Sequence, residues 1–192
     1  VTLEQPFEDF QRVDVSHAFQ AQVTQGDAYS VVITIDDNLE EYLDVRVVGD
    51  TLQIGFDRNG PFTMRNTTMR AEITMPELTG ISGSGASRVD VSGFSSDNAL
   101  AVDVSGASTV RGQIDTGDLT ADVSGASRLT LSGQGQDGNI TVSGASQANL
   151  SDFRMDNVTA EASGASRAEV YASGRLDAEA SGASTVLYSG DP

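Results

Sequence analysis

The groups able to do chemistry in this 192-residue chain are mostly carboxylates: 28 Asp and Glu stand against 11 basic residues and one His, with no Cys. Without thiols there is no disulfide, and one imidazole is a poor basis for a zinc site. Nucleophilic catalysis needs an activated Ser beside a base. His17 is the sole imidazole, and no Ser sits in a Gly-x-Ser-x-Gly elbow. Paired carboxylates of the kind that cleave glycosidic bonds remain conceivable. A polysaccharide-cleaving solenoid builds its cleft from long loops, however, and the longest segments expected between strands here, Gly93 to Ala99 and Gly133 to Gly138, are short. The expectation is a non-enzyme, with a carbohydrate-active enzyme as the third choice.

The most ordered set of acids comprises Asp103, Asp122, Glu161 and Glu179, which recur at equivalent outward positions ahead of a repeated tetrapeptide, with Thr141 between the two pairs. Stacked at the strand spacing of about 4.8 Å, such a pair repels by about 1 kcal/mol in water. The favoured reading is a solvated acidic stripe accepting monovalent counterions, with no cofactor. The alternative is a weak Ca²⁺ site, in which the protein supplies only two to four of the ion's six to eight oxygens. A second outward row, Arg88, Thr109, Arg128, Gln147, Arg167 and Thr185, alternates Arg with neutral residues, as expected of a face that avoids like-charge contact. A ligand-binding row is the alternative. Four Asn-x-Ser/Thr sequences begin at Asn66, Asn139, Asn149 and Asn157; polar strand faces are the simpler explanation, and glycosylation depends on the host.

The elements that position these residues follow from the repeat. Ser-Gly-Ala-Ser begins at Ser84, Ser105, Ser124, Ser143, Ser163 and Ser181, spaced by 21, 19, 19, 20 and 18 residues. Such a period marks a solenoid, one turn per repeat. Strict alternation on either side of each tetrapeptide, as in Leu119-Thr120-Ala121-Asp122-Val123 and Arg128-Leu129-Thr130-Leu131, marks two strands per turn, each with one buried face. Two inward columns then read Val89, Val110, Leu129, Ala148, Ala168, Val186 and Val104, Val123, Val142, Ala162, Ala180. The predicted architecture is an all-β, single-stranded parallel β-helix, right-handed as parallel crossovers are, with Gly turning the corners and Ser hydroxyls bonding up the ladder. Residues 1–80 hold seven of the eleven aromatics, Phe62 among them, and longer, less regular strands. They include a turn at Asn59-Gly60-Pro61 and are read as a cover for the first end of the solenoid. The whole of 1–192 is read as one domain.

The ordered run Val15-Ser16-His17-Ala18-Phe19, Val23-Thr24-Gln25-Gly26-Asp27, Ile33 to Leu39, Gly49 to Ile54 and Ile73 to Leu78, followed by the Ser-Gly repeats, resembles the head GIN domain family, described as auto-transporter adhesins. The resemblance extends over nearly the whole chain and implies a right-handed β-helix of an envelope or secreted protein. His17 departs from it, standing where the family favours Gly, so this turn is expected to differ.

A net charge of -17 excludes nucleic acid and anionic membranes as partners. All bases are Arg, and the acids are spread over both halves, as in proteins adapted to high salt or in an ordinary acidic secreted protein. No apolar run is long enough to span a membrane. The chain starts at Val, which suggests a removed leader or anchor, and an extracytoplasmic location is expected: periplasm, cell surface or secreted. The expected function is an adhesin-like module holding a surface polymer, glycan, protein partner or its own copies, a homo-oligomer included. The second choice is a structural or envelope-stress regulatory domain without a dedicated ligand.

Overall fold

The computed structural model describes residues 1–57 and 67–192. The Asn59-Gly60-Pro61 turn, Phe62 and Asn66 lie outside the described residues. Strands that approach the Ser-Gly-Ala-Ser corner stack in parallel register into one face, and strands that leave it stack into a second. On the first face Leu100–Val104 pairs with Leu119–Val123, which pairs with Asp137–Val142. The later halves of Gln147–Ala162 and Arg167–Ala180 continue this ladder. On the second face Arg88–Ser95, Thr109–Asp115 and Arg128–Gln134 stack in turn, and Thr185–Ser189 lies at the far end. Both predicted inward columns form in register. From Val89 to Ala168 and from Val104 to Ala162 their members are at most 3% exposed. The protein is therefore a parallel β-solenoid.

The corner dictates the fold locally. Gly125 has φ of +74°, and a Cβ there would lie 2.5 Å from the carbonyl oxygen of Gly106 in the preceding coil. Only Gly meets both requirements. The stacked Ser hydroxyls behave differently from the expectation. One hydroxyl pair, Ser87 and Ser108, lies at 3.4 Å. Elsewhere Ser146 Oγ accepts from the Ser127 backbone N–H, and Ser166 Oγ donates to the Val142 carbonyl. The coil rise of about 4.8 Å exceeds the hydroxyl–hydroxyl reach of roughly 2.8 Å, so backbone partners win. Ser127 Oγ is buried without a partner among the described residues.

The first 80 residues do more than cover an end. Arg12–Val15 lies between Thr51–Phe56 and Gly80–Gly83, all three parallel. Gln20–Gln25 likewise lies between Met69–Met75 and Arg88–Ser95. Ser16-His17-Ala18-Phe19 is thus a corner of the same stack: Ser84 N–H bonds the Val15 carbonyl and Ala18 N–H the Gly85 carbonyl. His17 and Ala18 have φ of 57° and 64°, close to the 63° and 70° of Gly85 and Ala86. The turn expected to differ because of His17 keeps its neighbour's backbone. Phe19 occupies the place of the buried Ser, is fully buried, and packs with its ring centroid 5.3 Å from that of Phe56. The true cover is antiparallel. Leu43–Val48 pairs with Thr51–Phe56, Ser30–Ile35 with Met69–Met75, and Thr2–Gln5 with Ser30–Ile35. Strands also invade the expected loops: Arg88–Ser95 and Arg128–Gln134 run past Gly93 and Gly133, leaving residues 96–99 and 135–136 as connections.

The inward columns change from Val and Leu to Ala at Ala148 and Ala162, one of them ending on Val186, and Ala178 and Ala180 of the last coil are exposed. Burying Val or Leu contributes about 1.5 to 3 kcal/mol and Ala less. Amide exchange in 160–190 is therefore expected to be faster than in 84–145 when no partner covers the C-terminal end, and equal protection in a dilute, low-salt, monomeric sample would reject this. Ser127→Ala is expected to leave the melting temperature unchanged or raise it, because it removes an unsatisfied hydroxyl. Ser166→Ala should cost about 1 kcal/mol, and equal losses in the two variants would contradict this account.

Candidate functional site

The outward residues of the first face form straight columns. One reads Gln53, Asp14, Ser82, Asp103, Asp122, Thr141, Glu161, Glu179, each opposite the next in register. All four sequence-predicted acids stand in it, in the predicted pairs Asp103–Asp122 and Glu161–Glu179. Asp14 belongs to the same column and was missed. Its signal was present, since Val13-Asp14-Val15-Ser16 repeats the pattern of Val102-Asp103-Val104-Ser105, with His17 hiding the tetrapeptide. Asp14, Asp103 and Asp122 line one open cleft of about 370 Å³, together with Arg12 and Ser82. Glu161 and Glu179 lie beyond Thr141 and outside that cleft.

The next column reads Thr51, Arg12, Gly80, Ala101, Thr120, Asn139, Thr159, Asp177. Beside it Asp118, Asp137 and Asn157 form a hydrogen-bonded ladder. Asp137 N–H donates to Asp118 Oδ1 at 3.2 Å, and Asn157 Nδ2 donates to Asp137 Oδ1 at 2.8 Å. With Thr120, Asn139, Thr159 and Arg175 these residues line a groove of about 640 Å³. First-face pairs from Gly80–Gly83 to Asp137–Val142 show no register shift, whereas second-face pairs carry irregularities, as between Gln113 and Ile114.

On the second face the Arg row is longer than the sequence suggested: Arg70, Gln20, Arg88, Thr109, Arg128, Gln147, Arg167, Thr185. Arg128 Nη2 donates to Gln147 Oε1 at 3.1 Å, and Arg167 Nε lies 2.6 Å from Glu169 Oε1. These neighbours fit a solvated face. Asn149 Oδ1 accepts from Ser151 Oγ at 2.8 Å, so this Asn-x-Ser sequence is part of a local turn of bonds. His17 Nδ1 and Ser16 Oγ are 2.7 Å apart, and Ser16 Oγ also reaches the Ile54 carbonyl at 3.2 Å. Among the described residues no three His, Asp or Glu side chains converge to hold a metal.

The acidic column perturbs itself. Burial raises Asp14 from its ordinary value, the hydrogen bond from Ser82 opposes this, and the Asp103 charge adds to it. Burial also raises Asp103, followed by the charge of Asp122. A carboxyl raised in the folded state binds more protons there than in the unfolded chain, so stability falls as pH rises above the ordinary Asp value. Asp103→Asn is expected to raise the melting temperature at pH 7 in low salt, by an amount that shrinks as pH falls below 4 and as salt is added. A lower melting temperature at pH 7 would contradict the repulsive column.

Comparison with known proteins adds the family. A family profile described as "Putative auto-transporter adhesin, head GIN domain" matches residues 9–192. No curated protein matches. Among solved structures, a putative adhesin from Bacteroides fragilis superposes with a TM-score of 0.93 at 22% identity, over 100% of this chain and 89% of that one. A putative lipid binding protein from Parabacteroides distasonis gives 0.68 at 19% identity, covering 99% and 94%. A putative adhesin from Parabacteroides merdae gives 0.68 at 14% identity, covering 98% and 95%. At these identities the solved structures attest the fold alone, while the profile spans both the covered N-terminal coils and the Ser-Gly-Ala-Ser repeats: the chain belongs to the head GIN domain family.

Proposed function

We propose that this chain is a non-enzymatic, adhesin-like binding module of the cell envelope or of a secreted surface, and that it holds a polar polymer along its first face. The observation that carries this reading is the unshifted register of that face, which repeats hydroxyl, amide and carboxylate groups at each coil in Thr120, Asn139, Thr159 and the neighbouring acidic column. Glycan hydroxyls are donors that such acceptors satisfy, and a flat face lets one chain meet several coils at once. The adhesin description of the family supports the reading. A lipid partner, suggested by the name of one structural neighbour, fits less well, because from Thr120 to Asp177 and from Ser82 to Glu179 the outward groups of these columns are polar.

No Ca²⁺ is required. A carboxylate pair such as Asp103–Asp122 or Glu161–Glu179 supplies a minority of the six to eight oxygens that Ca²⁺ takes, and the column is proposed to hold monovalent counterions. The acidity suits a salty exterior, where screening weakens self-repulsion.

A glycan array probed with the wild type and with a Thr120→Val, Asn139→Leu, Thr159→Val variant tests the proposal. The expected result is retention of one class of neutral polysaccharide by the wild type and at least tenfold weaker retention by the variant. Release of reducing ends from the bound polysaccharide, or equal binding by a variant that keeps its fold, would overturn it.

A further inference from the structure

The two ends of the solenoid are finished differently. At the first end the outermost coil strands, Thr51–Phe56 and Met69–Met75, are covered by antiparallel partners. At the other end, residues 175–180 pair with 157–162 on one side, and Thr185–Ser189 with 167–171 on one side; among the described residues neither has a strand on its other side. An unpaired strand edge is a template for another chain. Among the described residues four large hydrophobics are exposed, and two of them, Leu187 and Tyr188, adjoin on this last strand, 42% and 62% exposed. Tyr188 stands in an inward column, stacked on Val170, while the facing inward residues Ala178 and Ala180 are small.

We propose that this edge pairs tail-to-tail with the same edge of a second copy. A two-fold axis through the corner 181–184, perpendicular to the solenoid axis, lays the strand that approaches the corner in one copy over the strand that leaves it in the other. One runs toward the corner and the other away, so the two meet antiparallel, twice per dimer, as an isologous interface requires. Matching inward residues to inward residues sets Ala178 against Tyr188 and Ala180 against Val186. The large ring of one copy fills the space left by the Ala of the other. The outward pairs become Glu179 with Leu187, Asp177 with Ser189 and Arg175 with Asp191, so no acid faces an acid. The interface leaves the first face open and does not depend on what that face binds.

Each copy carries -17, so association must overcome long-range repulsion, which salt screens within about 3 Å at 1 M. Sedimentation velocity of this chain is expected to show a monomer–dimer equilibrium that shifts toward dimer between 0.1 M and 2 M KCl. Tyr188→Asp should weaken dimerisation at least tenfold without altering the circular dichroism spectrum or the per-chain glycan binding. Because the chain has no Cys, the register is read directly. Oxidised Glu179→Cys, Leu187→Cys protein should run as a covalent dimer, and Glu179→Cys alone as a monomer. A monomer at every salt concentration, open-ended oligomers, unchanged association of Tyr188→Asp, or cross-linking by the single Cys variant would each overturn the proposal.

Discussion

Everything in this protein hangs on the distance between one backbone corner and the next. At Gly125 the chain passes so close beneath Gly106 that no side chain fits, and the same left-handed turn recurs at Gly144 and Gly164. Once that contact is made, the flanking strands have no freedom of register, because a slip of one residue would turn every buried Val outward. The flat polar face and the tapering interior are consequences. The outward columns are straight because the corners are stacked, and they carry polar groups because alternation leaves only those positions to solvent.

Most of this was legible from residues 81–192. The six tetrapeptides fixed the period, the alternation fixed the buried faces, and the acidic column from Asp103 to Glu179 formed as read. What escaped was the partner of each N-terminal strand. Arg12–Val15 and Gly80–Gly83 meet although 64 residues separate Val15 from Gly80, and nothing local encodes such a pairing. Gly80–Gly83 was invisible for another reason: its one large apolar residue, Ile81, gives no period. Asp14 was lost for a different reason: Val13-Asp14-Val15-Ser16 carries the local pattern of the column, but His17 and Phe19 break the tetrapeptide that marks it elsewhere. His17 was misjudged because positive φ is costly but not forbidden to a residue with a polar side chain. Here the stack above and below imposes it.

The charges obey the same geometry. Stacking turns a sequence period into a row of identical positions, so any charge placed there meets itself at the coil spacing. Interruption is the remedy on both faces: Gln20, Thr109 and Gln147 separate the Arg residues, and Ser82 and Thr141 divide the acids. The Asp103–Asp122 step lacks such a spacer, and there the neighbouring carboxylate adds to burial, the larger cause, in lifting the proton affinity of Asp103.

The position of Arg12–Val15 and Gln20–Gln25 between Thr51–Phe56 and Met69–Met75 on one side and Gly80–Gly83 and Arg88–Ser95 on the other has a consequence for how the protein comes into being. A solenoid that winds in sequence order can grow coil by coil as it is synthesised, each new turn finding the last already formed. Here the second coil in space is the first in sequence, and it cannot be sandwiched until both of its neighbours have emerged. The first 95 residues therefore form a nucleus of high contact order, slow to assemble, after which the remaining coils can add one at a time onto a finished template. Deleting one whole later coil would shorten the product, whereas deleting Arg12–Val15 or Gln20–Gln25 would remove the strands that join the covered end to the later coils.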